Sequence, residues 1–240
     1  MKLLPGVYQV GGPALTAGID ATSYLLCEGD SLCLVDCGTP EGYEALLANI
    51  RRLGFDPARI ARIYGTHGHY DHVGAASLFA RDFGTELYLH EADVAQVEAG
   101  DAVMTTAGLL YGKDFPPATV HGRLTDGMVI ETGAGPMEVL HTPGHSMGCV
   151  CFVLTHACGQ TLLIAGDTLH GGYSDRIGSD EAAWRVSLDR LCARSYDCYT
   201  MGHGNPVLLC DADTRLDCLR RSFANYYSPW FKTFYEEYRY

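Results

Sequence analysis

The residues best suited to metal chemistry in this 240-residue chain lie in one short run, 66–72, which reads THGHYDH. Three histidines and one aspartate fall within it: His67, His69, Asp71 and His72. Neutral imidazole nitrogens and carboxylate oxygens are ligands suited to zinc, iron or manganese, so the run predicts a metal site. The alternative interpretation is a surface loop rich in histidine. The apolar segment 60–64 directly before the run favours the metal site, because it predicts a buried strand and sites in α/β sheets form where strands end.

Three further candidate ligands follow other predicted strands. His145 comes just after a Pro-Gly turn, whereas His141 precedes that turn and is expected to contact backbone. Asp167 directly follows an apolar strand, and a carboxylate there can bridge two cations, which a histidine nitrogen does poorly. His203 lies between two glycines that let the backbone bend. Each residue alone is a weak signal, because a lone histidine or aspartate after a strand is more often structural, but together with the run they predict a site for two metals.

The elements that must position these residues are strands and helices in two β-rich halves. The predicted strands are 7–10, 21–27, 32–36, 60–65, 86–89, 128–131, 137–140, 149–154, 162–165 and 198–201. The predicted helices are 41–52, 73–82, 180–193 and 211–225. Helices at corresponding places in the two halves predict a β-sandwich flanked by helices. No linker rich in Pro, Ser or Gly divides the halves, so we expect a single domain over 1–240.

Residues 91–118 depart from this pattern. They combine helical stretches, Gly108, Gly112 and the pair Pro116-Pro117 with apolar side chains, which are those of Met104, Leu109, Leu110, Tyr111 and Phe115. The segment predicts an insertion or lid that shapes the substrate pocket; an ordinary surface helix and loop is an equal alternative.

The C-terminal residues 223–240 carry aromatic side chains at steps of three and four, the spacing of one helix face. Ser228-Pro229 interrupts the series, so two helices are predicted. Such a stripe is more often core or subunit contact than a binding site. Our hypothesis is a homodimer formed through these aromatic helices.

Composition restricts the class of partner. The net charge is −12, and the chain has no basic run that could displace phosphate counterions, so nucleic acid is not an expected partner. No run of 18 apolar residues exists and the charge disfavours membrane docking, so no membrane interaction is expected either. The N-terminus is too short and too soon broken by Pro5 for a signal peptide, and the ten scattered cysteines predict buried reduced thiols. We therefore expect a cytoplasmic protein with a small-molecule substrate.

The chain resembles the metallo-β-lactamase superfamily. The matching segments occur in the order of that family: 34–38, 66–72, 142–146, 166–167 and 202–204. The resemblance implies an α+β fold, an αββα four-layer sandwich with the metals at one edge of the sheets. It also implies one metal held by His67, His69 and His145, a second held by Asp71, His72 and His203, and Asp167 as the bridge. Asp36 would fix the ligand loop, while His90, His121 and His156 match no ligand position.

The chemistry expected of such a site is hydrolysis. Two divalent cations would lower the pKa of a shared water and polarise a carbonyl, so a metal-bound hydroxide could attack a small ester, thioester or lactone. Zinc is the expected metal, with iron or manganese as alternatives. The resemblance also gives Asp71 a catalytic role, in which it orients the nucleophile or accepts its proton.

Within the superfamily the chain is most similar to the glyoxalase II-like group, which includes lactonases and persulfide dioxygenases. Antibiotic hydrolysis is not expected, because zinc β-lactamases lack an aspartate matching Asp167. Lactonases place a tyrosine three residues after the bridging aspartate; here His170 holds that place and Tyr173 comes three residues later. Either could donate a hydrogen bond to the substrate carbonyl, with a packed loop side chain as the alternative. Two other functions stay open: a mononuclear-iron persulfide dioxygenase and a non-catalytic binding protein.

Overall fold

The computed structural model describes residues 1–28, 30–169, 171–204 and 212–223. For residues 222 and 223 it describes the backbone only. A seven-stranded sheet forms the first half, with its strands in chain order. These strands are β1 Lys2–Leu4, β2 Val7–Gly11, β3 Ser23–Glu28, β4 Ser31–Val35, β5 Ile60–Tyr64, β6 Glu86–His90 and β7 Val120–Leu124. β1 to β4 are antiparallel, whereas β4 to β7 are parallel. The carboxyl ends of β4 and β5 therefore lie at one edge of this sheet. Asp36 follows β4, and the THGHYDH run follows β5.

The second half forms a five-stranded sheet in the order β12-β11-β10-β9-β8. Its strands are β8 Val129–Thr132, β9 Gly135–His141, β10 Val150–Thr155, β11 Thr161–Ile164 and β12 Cys198–Thr200. β9 and β11 are both antiparallel to β10, and β12 is parallel to β11. The carboxyl ends of β9, β11 and β12 consequently share one edge, and His145, Asp167 and His203 follow these three strands.

Helices cover the outer face of each sheet. They are α1 Tyr43–Arg52, α2 Tyr70–Val73, α3 Ala76–Phe83, α4 Val94–Ala99, α5 Ala107–Tyr111, α6 Glu181–Cys192 and α7 Ala212–Phe223. Successive strand residues face opposite sides, so Leu25 packs against α1 and α3 while Leu26 packs between the sheets with Phe152. On the other sheet, Val153 packs outward against Trp184 of α6. This layering confirms the predicted αββα sandwich of the α+β class.

Three elements differ from the sequence predictions. β1 and β7 were not predicted, because β1 is short and β7 is largely polar and contains a glycine. Gly122 is required in β7 since a Cβ there would overlap the ring of Tyr88. The helix predicted over 73–82 begins later, as α3 at Ala76, and a separate short helix, α2, ends at Val73; a Cβ at Gly74, between them, would clash with the carbonyl oxygen of Tyr70.

Residues 91–118, predicted as an insertion or lid, are anchored to the first half of the protein. Val97 and Phe115 are buried in the core beneath α1 and α3. The Lys113 ammonium lies 3.0 Å from the Glu41 carboxylate, and Tyr70 N–H donates to the carbonyl of residue 105 at 2.8 Å. The segment is thus packed beside α2, directly next to the predicted ligands.

The predictions on the C-terminus, on membrane spans and on the cysteines differ in outcome. The aromatic C-terminal helices predicted over 223–240 lie outside the described residues, apart from the backbone at the end of α7. No helix within the described ranges is long and apolar enough to cross a bilayer. All cysteines in those ranges are free thiols, and the two exposed ones are Cys158 and Cys218.

Candidate metal centre

Asp36 organises the loop that carries the histidine run. It follows β4, and its carboxylate accepts hydrogen bonds from Thr66 N–H at 2.7 Å and from the Thr66 hydroxyl at 2.8 Å. The other contact of this carboxylate is with Nδ1 of His72, at 2.7 Å. Because Asp36 holds Nδ1, Nε2 of His72 is the atom left to face the site. Asp36 adopts a left-handed φ of +57°, which an aspartate tolerates better than most residues.

Three buried histidines form the first candidate position, which we call the three-histidine position: His67, His69 and His145. His67 Nε2 lies 2.9 Å from His69 Nδ1, and His145 Nε2 lies 3.0 Å from the same atom. His145 is oriented by its other nitrogen, Nδ1, which lies 2.7 Å from the carbonyl oxygen of Gly172. One nitrogen of each ring therefore converges on a common point, as ligation of a single cation requires.

The second candidate position, which we call the mixed position, consists of Asp71, His72 and His203. His203 Nε2 lies 3.1 Å from Asp71 Oδ2. Asp167 lies between the two positions: its Oδ1 is 3.3 Å from His72 Nε2, and its Oδ2 is 3.4 Å from both His203 Nε2 and His145 Nε2. The structure thus brings together all seven residues predicted as ligands, with Asp167 next to both groups.

Three buried atoms at this centre are left without hydrogen bonds: His69 Nε2, His72 Nε2 and Asp167 Oδ1. The last two complete no hydrogen bond although they lie 3.3 Å apart. An unsatisfied buried polar group costs about 1–3 kcal/mol, so such atoms are rarely left without a partner. Imidazole nitrogen and carboxylate oxygen are both ligands for zinc and related divalent cations. The donor set therefore fits a bound metal.

Electrostatics at the site are consistent with cation binding. Burial, reinforced by neighbouring histidines, holds the pKa of His67 and His69 well below the usual range, which keeps them in the neutral form that ligates metals. Burial alone would raise the pKa of Asp167, but the charges of His203 and His72 hold it well below its usual range. For His203 the two effects have the opposite sign: burial alone would lower its pKa, but the charge of Asp167 raises it to about 10. The mixed position thus strongly favours positive charge.

Gly202 is needed here for space. A Cβ at this residue would overlap Asp167 Oδ1 and lie 2.9 Å from Cε1 of His72. The glycines around His203 were predicted to let the backbone bend; at Gly202 the structure shows a close approach to Asp167 instead. The absence of a side chain is what allows the loop after β12 to reach Asp167.

The other residues singled out in the sequence are placed as follows. His170 lies outside the described residues, so its predicted role stays a prediction. The Tyr173 hydroxyl donates to Asp175 Oδ1 at 2.8 Å, a contact within its own loop that favours the alternative of a packed loop side chain. His141 Nε2 contacts the carbonyl oxygen of Met147 at 2.9 Å, the backbone contact that was predicted. Within the described ranges His90, His121 and His156 belong to none of the groups that could hold a metal.

Sequence reasoning missed Asp93, a buried carboxylate beside two of the ligand turns. It accepts hydrogen bonds from Gly68 N–H at 2.8 Å and from the Ser146 hydroxyl at 2.7 Å. An aspartate at the beginning of a helix is typical of an N-cap, and this local signal hides any role at a distance.

The contacts of Asp36 give a first testable prediction. The Asp36 carboxylate now accepts hydrogen bonds from the Thr66 N–H, the Thr66 hydroxyl and His72 Nδ1. In Asp36→Asn an NH₂ group would face one of these donors, so the orientation of His72 would be lost. Affinity for metal at the mixed position should fall about 10- to 100-fold, the usual cost of disturbing a group that orients a ligand. Competition with a chromophoric chelator measures it. Asp56→Asn is the matched control. The exposed Asp56 carboxylate also accepts a hydrogen bond from a backbone N–H, that of Ala58, so this variant should bind metal normally. Wild-type affinity in a folded Asp36→Asn protein would refute the assignment.

Comparison with known proteins places these features in a family. The sequence profile described as "Metallo-beta-lactamase superfamily" matches residues 18–203. The "Probable metallo-hydrolase YqgX" of Bacillus subtilis is 28% identical over 191 residues, covering 78% of this chain and 86% of that protein. The "Uncharacterized protein Rv2581c" of Mycobacterium tuberculosis is 30% identical over 202 residues, covering 78% and 87%.

Solved structures agree. A metallo-beta-lactamase HARLDQ motif mutant from Cronobacter sakazakii superposes with a TM-score of 0.73 at 26% identity, covering 95% of this chain and 85% of that one. A subclass B3 metallo-beta-lactamase of Bradyrhizobium japonicum gives a TM-score of 0.76 at 21% identity, covering 95% and 91%, which shows the shared fold.

Proposed function

The chain belongs to the metallo-beta-lactamase superfamily, and from that membership we propose that it is a dinuclear metal-dependent hydrolase of a small ester, thioester or lactone. One observation carries the proposal of two metals: Asp167 Oδ2 lies 3.4 Å from His145 of the three-histidine position and 3.4 Å from His203 of the mixed position. A carboxylate in that place is suited to bridging two cations. Zinc is the metal we propose, with iron or manganese compatible with the same ligands.

Each group of residues at the site has a separate role in the proposed hydrolysis. Two cations held here would supply a hydroxide from water near neutral pH and would polarise the substrate carbonyl. Asp71, buried and 3.1 Å from His203 through its Oδ2, has a second oxygen with which to orient the attacking water or accept its proton. Asp36 fixes the ring of His72, and the carbonyl of Gly172 fixes the ring of His145. The ligands are therefore held in place before substrate binds.

The persulfide dioxygenase alternative requires one iron. Asp71, His72 and His203 form a second group of potential ligands, which is an observation that makes us propose two metals and the hydrolase. Hydrolysis of β-lactams is the activity named for the structural relatives; it is not part of our proposal for this chain, in which Asp167 occupies the bridging place.

Metal content tests the proposal directly. Protein purified without added metal should contain about two equivalents of zinc, iron or manganese by elemental analysis. Removal of the metal with a chelator should abolish hydrolysis in a screen of esters, thioesters and lactones, and readdition of metal should restore it. One equivalent of iron together with oxygen uptake on persulfides would instead establish the dioxygenase. Metal binding without either activity would favour a binding protein.

A further inference from the structure

Asp93 lies between the two turns that supply the three-histidine position. It directly precedes α4 and is only 1% exposed. Its Oδ2 accepts hydrogen bonds from Gly68 N–H at 2.8 Å and from the Ser146 hydroxyl at 2.7 Å. Its Oδ1 accepts one from Gly148 N–H at 3.0 Å. A single carboxylate therefore joins the turn 67–69, which follows β5, to the turn 145–148, which follows β9.

Close packing around Asp93 makes this connection tight. A Cβ added at Gly68 would lie 3.1 Å from Asp93 Cβ and 2.9 Å from Gln96 Nε2. A Cβ added at Gly148 would lie 2.6 Å from Asp93 Oδ1. Neither glycine adopts a left-handed φ, so it is space that both positions require. A side chain at either glycine would therefore displace Asp93 or its neighbours.

The local role expected of Asp93 is absent. It occupies the N-cap position of α4, but its side chain makes no capping hydrogen bond and is directed to the two turns instead. The segment just before it is held to the same part of the second sheet, because the rings of His90 and His141 stack with centroids 3.8 Å apart. Asp93 is thus held both by the stacking of His90, three residues before it, and by the hydrogen bonds that its carboxylate accepts.

We propose that Asp93 is a positioning residue of the metal centre, which sets the distance between the turn of His67 and His69 and the turn of His145. It acts through Gly68, the residue between the first two histidines, and through Ser146, the residue after the third. The consequence is selective: Asp93 controls affinity at the three-histidine position and has little effect on the mixed position, to which it makes no hydrogen bond among the described residues. The inference rests on the metal centre of the proposed function and is independent of the substrate.

Asp93→Asn tests the inference, because asparagine keeps the shape of the side chain but presents an NH₂ group to one of the donors. Zn²⁺ affinity is measured on the full chain by competition with a chromophoric chelator. A His203→Ala background isolates the three-histidine position, and a His145→Ala background isolates the mixed one. We expect affinity at the three-histidine position to fall by about 10-fold or more, and affinity at the mixed position to change by less than about 3-fold. The absorption spectrum of bound Co²⁺ should also change in the first background, since it reports ligand geometry.

Asp197→Asn is the matched control. The Asp197 carboxylate also accepts hydrogen bonds from a backbone N–H and a hydroxyl, those of Thr161 at 2.7 and 3.1 Å, but it lies at the edge where β11 and β12 begin. It should leave Zn²⁺ affinity unchanged at both positions. Ser146→Ala removes one donor to Asp93 and serves where Asp93→Asn does not fold; it should weaken the three-histidine position in the same selective way.

The outcomes separate this inference from the proposed function. Wild-type affinity in folded Asp93→Asn, or in Ser146→Ala, overturns the positioning role, as does equal weakening at both positions. A wild-type protein that binds metal but hydrolyses no ester, thioester or lactone contradicts the proposed function and leaves the role of Asp93 standing. A wild-type protein that binds no metal overturns both.

Discussion

Replacement of Asp167 by asparagine should abolish hydrolysis, with kcat/KM falling by at least about 10³-fold. The carboxylate is buried and lies within 3.4 Å of histidines from both candidate positions. Asparagine keeps the volume but loses the negative charge, and its NH₂ group cannot ligate a cation. Two cations would then repel each other without a bridging charge, so metal content should fall from about two equivalents to about one.

Steady-state kinetics and elemental analysis on the same preparation measure both effects. Asp189→Asn changes an exposed carboxylate of α6, paired with Arg220 at 3.2 Å, and should leave activity and metal content unchanged. A folded Asp167→Asn protein that still hydrolyses substrate would show that Asp167 is dispensable and would remove the main support for a bridged centre. If the protein is a binding module, its ligand affinity should survive the substitution.

Gly202→Ala should also cause a large loss of activity, from a single methyl group. The new Cβ would overlap Asp167 Oδ1 and crowd the ring of His72. The backbone cannot move aside cheaply, because Gly202 N–H donates to the carbonyl of Gly166 at 2.8 Å and Thr22 N–H donates to the carbonyl of Gly202 at 2.8 Å. The carboxylate must therefore rotate away, and we expect loss of one metal equivalent and at least about a 10²-fold fall in kcat/KM.

Gly18→Ala is the control for this substitution, since a Cβ at residue 18 meets no atom within 4 Å. Circular dichroism and thermal unfolding would establish that both variants fold. Full metal content and normal kinetics in folded Gly202→Ala would show that the loop after β12 adapts, and that its close approach to Asp167 is not required.

The sequence was sufficient to predict the candidate ligands because their signal is local. His67, His145, Asp167 and His203 each follow an apolar strand, and the carboxyl ends of strands that run in the same direction meet at one edge of a sheet. The layering was predictable for a related reason: two β-rich halves with amphipathic helices can bury their apolar faces in few ways.

What could not be predicted depends on contacts between distant segments. Asp93 resembles an ordinary N-cap in sequence, and its role is visible only when Gly68 and Ser146 are seen beside it. Gly202 resembles a flexible loop residue until Asp167 is placed against it. β7 lacks an apolar pattern because its middle residue accommodates the ring of Tyr88, a demand made by its neighbour. In each case the cause is tertiary packing.

The division of the candidate ligands between the two sheets has a consequence for how the protein is assembled. His67 and His69 follow a strand of the first sheet, and His145 follows a strand of the second; the mixed position likewise combines Asp71 and His72 with the more distant His203. Neither half of the chain can offer a complete coordination set before the two sheets have docked, so metal uptake would be a late step of folding. Cations bound there would in turn connect the two sheets and stabilise the docked state by mass action. They would dissociate when the halves separate, because neither half retains a complete set of ligands.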